Sequence, residues 1–182
     1  GNVASADLGR GIEGLRIAYG RNWSAGSAEP EVQSSLDAAA VLLEALGAEI
    51  EIVDLPDYDL FEACGTVILQ AEAFAIHRRD LARTPDAFGW LAFQNLVTGA
   101  ILTADDISEA RRVRAILTRQ LDAIIAQYDA LLVACTLSPA PRFSEFEGGT
   151  PRWTAMRTLP FNVTGHPALA VPMGVTAGGL PL

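Results

Sequence analysis

The polar residues best placed for chemistry fall in two short stretches. Thr136 and Ser138 follow the apolar run 131–134, and Asn162, Thr164 and His166 stand just ahead of a second apolar run, 168–171. In open α/β sheets ligands bind in the crevice beyond the carboxyl ends of strands. Hydroxyls, an amide and an imidazole in loops beside strand ends are therefore suited to hold a polar substrate. Thr136, Ser138, Asn162, Thr164 and His166 are the candidate substrate-binding residues. Turn formation accounts for them equally well. Gly165 gives the backbone freedom a tight reversal needs, Pro167 fixes φ beyond it, and Asn162 and Thr164 can bond backbone groups that a turn leaves unpaired.

A nucleophile with its base is harder to find, and no catalytic residue is assigned. Cys135 and His166 both flank strand ends, but the apolar surroundings of Cys135 point to an inert, buried thiol. Glu72 and His77 are five positions apart, so they do not share a helix face. Trp153 and Met156 beside Arg157 suit the lining of a pocket, and ordinary packing explains them as well. Gly9, Gly11, Gly14 and Gly20 lack the spacing into a helix that a phosphate loop requires. There is no lysine: all 13 basic residues are arginine. A guanidinium keeps its proton to above about pH 12 and cannot serve as a base. Cys64 and Cys135 sit in apolar stretches and read as reduced, buried thiols. His77 and His166 lie far apart without acidic ligand spacing, so neither a metal nor another cofactor is expected.

The elements that must position these residues follow from periodicity. A short strand over 15–19 runs into a Gly/Asn/Ser loop. Pro30 then suits a first helical turn, and Val32, Leu36, Ala39, Ala40, Leu43 and Leu46 recur at helical steps, giving a helix over 31–46. Gly47 caps it, a strand over 50–53 follows, and Pro56 closes that strand. Strand, helix and strand within about 40 residues make a βαβ unit with parallel strands. Asp59 and Glu62 resemble a capping box for a second helix over 60–82, which Thr84 and Pro85 end. The aromatic-rich segment 88–97 is expected to be helical. Thr103 and Asp106 open a helix over 104–127, the longest expected. The continuous apolar run 131–134 then reads as a strand in the middle of a parallel sheet, and 168–171 as a fourth strand. Residues 142–152 form a loop rich in Gly, Pro and Glu, the candidate mobile segment. The fold class is thus α/β, with a mixed, mostly parallel sheet flanked by helices.

Charge and composition exclude several classes of function. The chain has 182 residues and a net charge of −9, with its cations dispersed apart from Arg111, Arg112 and Arg114 on one helix. A nucleic-acid surface needs clustered cations, so nucleic acid is not an expected partner. Half the residues are hydrophobic, yet no apolar run approaches the roughly 18 needed to span a bilayer. Neither a membrane nor a secretory leader is indicated, and a cytoplasmic setting is expected. The apolar excess calls for burial elsewhere; a missing partner half would provide it, and so would a homo-oligomer.

Three pieces of the sequence, in this order, resemble a known family. They are D-x-L-L-x-x-x-T from Asp129 to Thr136, N-x-T-G-x-P-A-x-x-V-P from Asn162 to Pro172, and G-L-P from Gly179 to Pro181. Together they are similar to the C-terminal half of the amidase signature enzymes. The opening strand with Gly14 and the pair Gly47 and Ala48 fit the same pattern, so the resemblance covers nearly the whole chain. Cys135 departs from it, standing where the family usually has proline.

The resemblance implies an amide hydrolase in which one Ser is activated through a second Ser by a neutral Lys, with backbone N–H groups holding the oxyanion. This sequence lacks both the Lys and the Gly/Ser-rich nucleophile loop. Ser34 and Ser35 lie on a helix without flanking glycines. The implied organisation is therefore 1–182 as the C-terminal portion of one amidase-type domain, with the catalytic N-terminal half and the last strand and helix absent. Its substrate would be a small-molecule amide, and its partner that missing half. The amide-cleaving component of a tRNA-dependent amidotransferase resembles the same family. From another class, a non-catalytic α/β ligand-binding or interaction module shares the βαβ opening, and fold analogy does not separate these readings.

Overall fold

A computed structural model of the chain describes residue 9 and residues 11–146 and 155–182. The described residues form two compact units, each discontinuous in sequence. The first draws on Gly1–Leu55, Asp122–Ala140 and Ala170–Leu182, the second on Pro56–Leu121 and Pro141–Leu169.

The first unit is built on β1 (Arg16–Tyr19), α1 (Pro30–Ala45), β2 (Glu49–Ile52) and β3 (Ala130–Leu132). The sheet order is β2-β1-β3, and both pairings are parallel, with Ile17 opposite Ile50 on one side and Ala130 on the other. The α/β class with a parallel sheet and flanking helices is as the periodicity predicts. Parallel neighbours need a crossover, and α1 supplies it between β1 and β2. Gly47 ends α1 at a φ of +98°; its N–H reaches Glu44 O at 2.9 Å and the next N–H, of Ala48, reaches Leu43 O at 3.1 Å. Only a residue tolerant of left-handed backbone allows both bonds, so the helix stops there and β2 begins at once.

Apolar contacts seat α1 on the sheet. Tyr19 of β1, Leu36 and Ala40 of α1, and Ala134 and Leu137 after β3 form one buried cluster, with Ile50, Leu132 and Met173 packed against it. A polar cluster lies beside it. The Tyr19 hydroxyl donates to Asp37 Oδ1 at 2.5 Å, Arg21 donates to both Asp37 oxygens at 3.0 and 2.9 Å, and Gln33 Nε2 donates to Asp37 Oδ1 and to the Tyr19 oxygen at 3.0 Å each. Hydrogen bonds from Arg21, helped by those from Tyr19 and Gln33, hold the Asp37 carboxyl down to about 2 against its burial. Burial and then the Asp37 hydrogen bond push the Tyr19 phenol up to about 12. One carboxylate thus locks strand β1, the turn after it and helix α1 together.

In the second unit α2 (Tyr58–Arg83) packs against α3 (Trp90–Thr98) and α5 (Leu159–Thr164), and α4 (Ala104–Ile125) begins there. Close approach is made by glycines. A Cβ on Gly65 would stand 2.8 Å from Val163 Cγ2, and one on Gly99 would stand 2.2 Å from Gln70 O. Thr103 and Asp106 open α4 reciprocally, the Thr103 N–H reaching Asp106 Oδ2 at 2.8 Å and the Asp106 N–H reaching Thr103 Oγ1 at 3.1 Å. Among the described residues no helix is long and apolar enough to cross a membrane.

Four expectations are corrected. The run 131–134 reads as an interior strand, but β3 lies at one edge of the sheet, with Ala130 exposed and Leu131 and Leu132 half-buried. An apolar run reports burial on both faces; the order of the strands decides which one is central, and that place belongs to β1. Residues 168–171 form no strand, and Leu169 and Val171 are 86 % and 64 % exposed. A strand needs a neighbouring edge to bond, none of β1–β3 pairs with this segment, and Pro167 and Pro172 remove donors at both ends. The cap of α2 is Asp57, whose Oδ1 accepts from Asp59 N at 3.0 Å, so the helix opens ahead of the Asp59/Glu62 box. The longest helix is α2, at 26 residues against 22 for α4.

Asp37→Asn tests the polar lock. The folded carboxyl titrates below its ordinary 3.8, so its contribution is complete above about pH 4 and is lost as pH falls through about 2. With the side chain 38 % exposed, solvent reduces the gain to about 1 kcal/mol. Urea unfolding at pH 7 should show that loss in the variant, and the gap between variant and parent should close by about pH 2.

Candidate functional site

In the first unit the candidate residues lie at the carboxyl end of the sheet. Strand order reverses at β1: the chain goes first to β2 on one side and later to β3 on the other. The crevice beyond the ends of β1 and β3 is therefore the switch point where open α/β sheets bind ligands. Three loops are tied together there. Gly20 closes β1, its N–H donating to Leu132 O at 3.0 Å, and a Cβ on it would stand 2.1 Å from Leu55 Cδ1 and 3.1 Å from Val133 Cγ1. Asn22 holds the segment after β2, its Nδ2 donating to Leu55 O at 2.9 Å while Leu55 N donates to its Oδ1 at 3.1 Å. The loop after β3 is pinned at Leu137, which is buried and accepts from Glu29 N at 2.8 Å.

That anchor sets the direction of its neighbours. With Leu137 buried, Thr136 and Ser138 on either side of it are both half-buried at the rim of the loop. Cys135 is exposed, which corrects the expectation of a buried thiol: β3 ends at Leu132, and Ala134 takes the core position instead. Cys64 is buried as expected, 3 % exposed on α2, and burial pushes its thiol up. Asn22 escaped sequence reasoning, although its place in a Gly/Asn/Ser loop directly after β1 was the available signal. Ser34 and Ser35 line a shallow cleft of about 280 Å³ between the first turns of α1 and the turn 175–177, where Ala177 N donates to Glu31 Oε1 at 3.2 Å.

In the second unit α5 carries the other three residues. It ends at Gly165, φ +82°, whose N–H donates to Phe161 O at 2.8 Å. The expected turn is therefore present, and the segment it leads into is no strand. Asn162 is exposed, while Thr164 and His166 are half-buried and bonded to one another. The Thr164 hydroxyl donates to Pro160 O at 2.8 Å, and its oxygen lies 2.8 Å from His166 Nδ1. A hydroxyl has one proton, and here the carbonyl takes it. His166 must then donate from Nδ1, which leaves Nε2 as the basic nitrogen. Ahead of α5, Met156 is 44 % exposed and Arg157 is half-buried, its guanidinium 4.0 Å from the centroid of the Tyr58 ring. Trp153 and the loop residues 147–152 lie outside the described residues.

Two measurements check these placements. Long-range ¹H–¹⁵N NMR should find the neutral His166 ring protonated on Nδ1, and Thr164→Val should remove that preference. A thiol reagent should label Cys135 in the native chain at least about ten-fold faster than Cys64, with the two rates converging in denaturant.

Comparison with known proteins bears on what such loops serve. A family model described as amidase matches residues 5–182. An amidase of Pseudomonas putida is 32 % identical over 181 residues, covering 95 % of this chain and 39 % of its own length. The A-type subunit of glutamyl-tRNA(Gln) amidotransferase from Geobacter sp. (strain M21) is 26 % identical over 203 residues, covering 97 % of this chain and 42 % of its own. A crystal structure of an amidase superposes with a TM-score of 0.81 at 26 % identity, over 94 % of this chain and 41 % of that one. The chain spans about two fifths of the length of the curated relatives it matches. With a match that runs over both units and takes in the Asp129–Thr136 and Asn162–Pro172 motifs, the chain belongs to the amidase family.

Proposed function

We propose that this chain is the C-terminal portion of an amide hydrolase that cleaves small carboxylic amides by acyl transfer to a serine, with nucleophile and base supplied by polypeptide outside it. The observation that carries the reading is a family match over residues 5–182 in a sequence without lysine. A serine hydroxyl is a weak nucleophile and needs a base within hydrogen-bond reach. Arginine cannot deprotonate it.

The share assigned to this chain is the sheet core and part of the wall around the substrate. Thr136 and Ser138 at the switch-point loop, and Asn162, Thr164 and His166 at the end of α5, offer hydroxyl, amide and imidazole groups that can bond an amide's carbonyl and N–H. The similarity to a component of a glutamyl-tRNA(Gln) amidotransferase supports a second reading, in which the amide cleaved is that of glutamine and the chain works within a larger complex.

The test is an assay of the purified chain and of a family-length polypeptide that contains it, on simple aliphatic and aryl amides and on glutamine. The chain alone should give no turnover. The longer polypeptide should turn over amide and lose activity when a serine or lysine outside residues 1–182 is replaced. Turnover by the chain alone, abolished by Cys135→Ala or His166→Ala, would overturn the proposal in favour of a thiol mechanism. Glutamine as the preferred substrate would favour the second reading.

A further inference from the structure

We propose that Tyr58 is a positioning residue, whose hydroxyl holds α5 in the orientation that presents Asn162, Thr164 and His166 to substrate; the inference rests on the reading of those residues given above. The first observation is that α5 cannot orient itself. It has six residues, fewer than an isolated helix needs to persist in water, so its direction is set by what it touches. Its middle is seated in a notch. Pro160 is fully buried, Val163 is 5 % exposed, and the missing side chain of Gly65 admits Val163 and Leu159, the latter within 3.2 Å of where a Cβ would be. That notch of apolar contacts fixes how deep the middle of α5 sits.

The second fixed point is at the entry to α5. Tyr58, the first residue of α2 and 9 % exposed, donates its hydroxyl to Met156 O at 2.7 Å across 98 residues of sequence. Arg157 lies over the ring at 4.0 Å, its Nη1 stands 3.4 Å from the same Met156 carbonyl, and its side chain also hydrogen-bonds Tyr58. Phenol, guanidinium and carbonyl thus fasten residues 156 and 157, and α5 begins two residues later at Leu159. Burial keeps the phenol protonated, so it remains a donor throughout the ordinary pH range. A phenylalanine would fill the same volume and keep the stacking, so packing does not account for the hydroxyl. A hydroxyl buried at this cost is retained for the bond it makes.

Tyr58→Phe isolates that bond. In the 182-residue chain, hydrogen exchange should speed up by about ten-fold at the amides of Thr164 and Gly165, with no change at β1 or α1. In the family-length polypeptide, the same variant should raise KM for a simple amide by about five- to ten-fold while kcat stays within about two-fold. Tyr58→Leu, which also removes the ring under Arg157, should enlarge both effects. Unchanged exchange at α5 in Tyr58→Phe would overturn the proposal, and so would faster exchange with an unchanged KM, since the bond would then be structural only. If the unmutated family-length polypeptide cleaves no amide, the function proposed above fails, and the exchange measurement still decides whether Tyr58 holds α5.

Discussion

The first unit depends on β1 being hydrogen-bonded along both edges. A strand paired on one side only leaves a row of backbone donors and acceptors to water, and a central parallel strand spends all of them on its neighbours. β1 is four residues long, so few bonds are involved and its ends must be secured separately. At the start, Arg16 N donates to Asp129 Oδ2 at 2.9 Å and the Arg16 guanidinium to Gln127 O at 2.7 Å, which brings the chain in alongside before β3 begins. At the far end, Tyr19 and Arg21 converge on Asp37 and fasten α1. Everything at the carboxyl end of the sheet inherits its position from these two anchors. The loop of Thr136 and Ser138 follows closely on Leu132, whose carbonyl receives Gly20 N.

The second unit solves a different problem, that of bringing helices close without a sheet beneath them. Side chains normally hold helix axes about 8–10 Å apart. Gly65 and Gly99 remove the side chain at the point of contact, and the neighbouring backbone or methyl groups move into the space. Substitution at either would push a helix outward, and at Gly65 the displaced helix is α5. The hydrophobic face of α2 repeats this logic, with Tyr58, Phe61, Cys64 and Gly65 buried at helical spacing. A short helix bearing polar residues is thereby placed by the face of another helix and by the missing side chain of Gly65.

How much of this the sequence discloses depends on the range of the interaction. The helix α1, its stop at Gly47 and the reciprocal Thr103–Asp106 cap are decided within a turn or two of chain, and periodicity with turn chemistry finds them. The order of the strands is decided by partners far away in sequence, so the edge position of β3 is invisible in an apolar run. For the same reason 168–171 looks like a strand and is not one: the pattern describes what the segment would do beside a free edge. Asp57 displaces Asp59 as the cap of α2 by two residues, a distance at which local patterns lose resolution. The candidate residues are picked out by type and by their place beside strand ends and a turn. The loop after β1 marks the neighbourhood of Asn22 but not its bond to Leu55, and Tyr58 has no local signal: each acts through a partner dozens of positions away, and no spacing rule connects them.

The chemistry assigned to the α5 end follows from a single proton. Thr164 has one hydroxyl hydrogen and two neighbours that could accept it, the Pro160 carbonyl and His166 Nδ1. Two bare oxygens 2.8 Å apart would repel, so the hydrogen lies between Thr164 and Pro160, and His166 supplies the second one. The helix backbone thereby chooses the tautomer of a side chain beyond its own end. In the function proposed above, where nucleophile and base lie outside a chain that has arginines and no lysine, the place of such a group is to orient substrate.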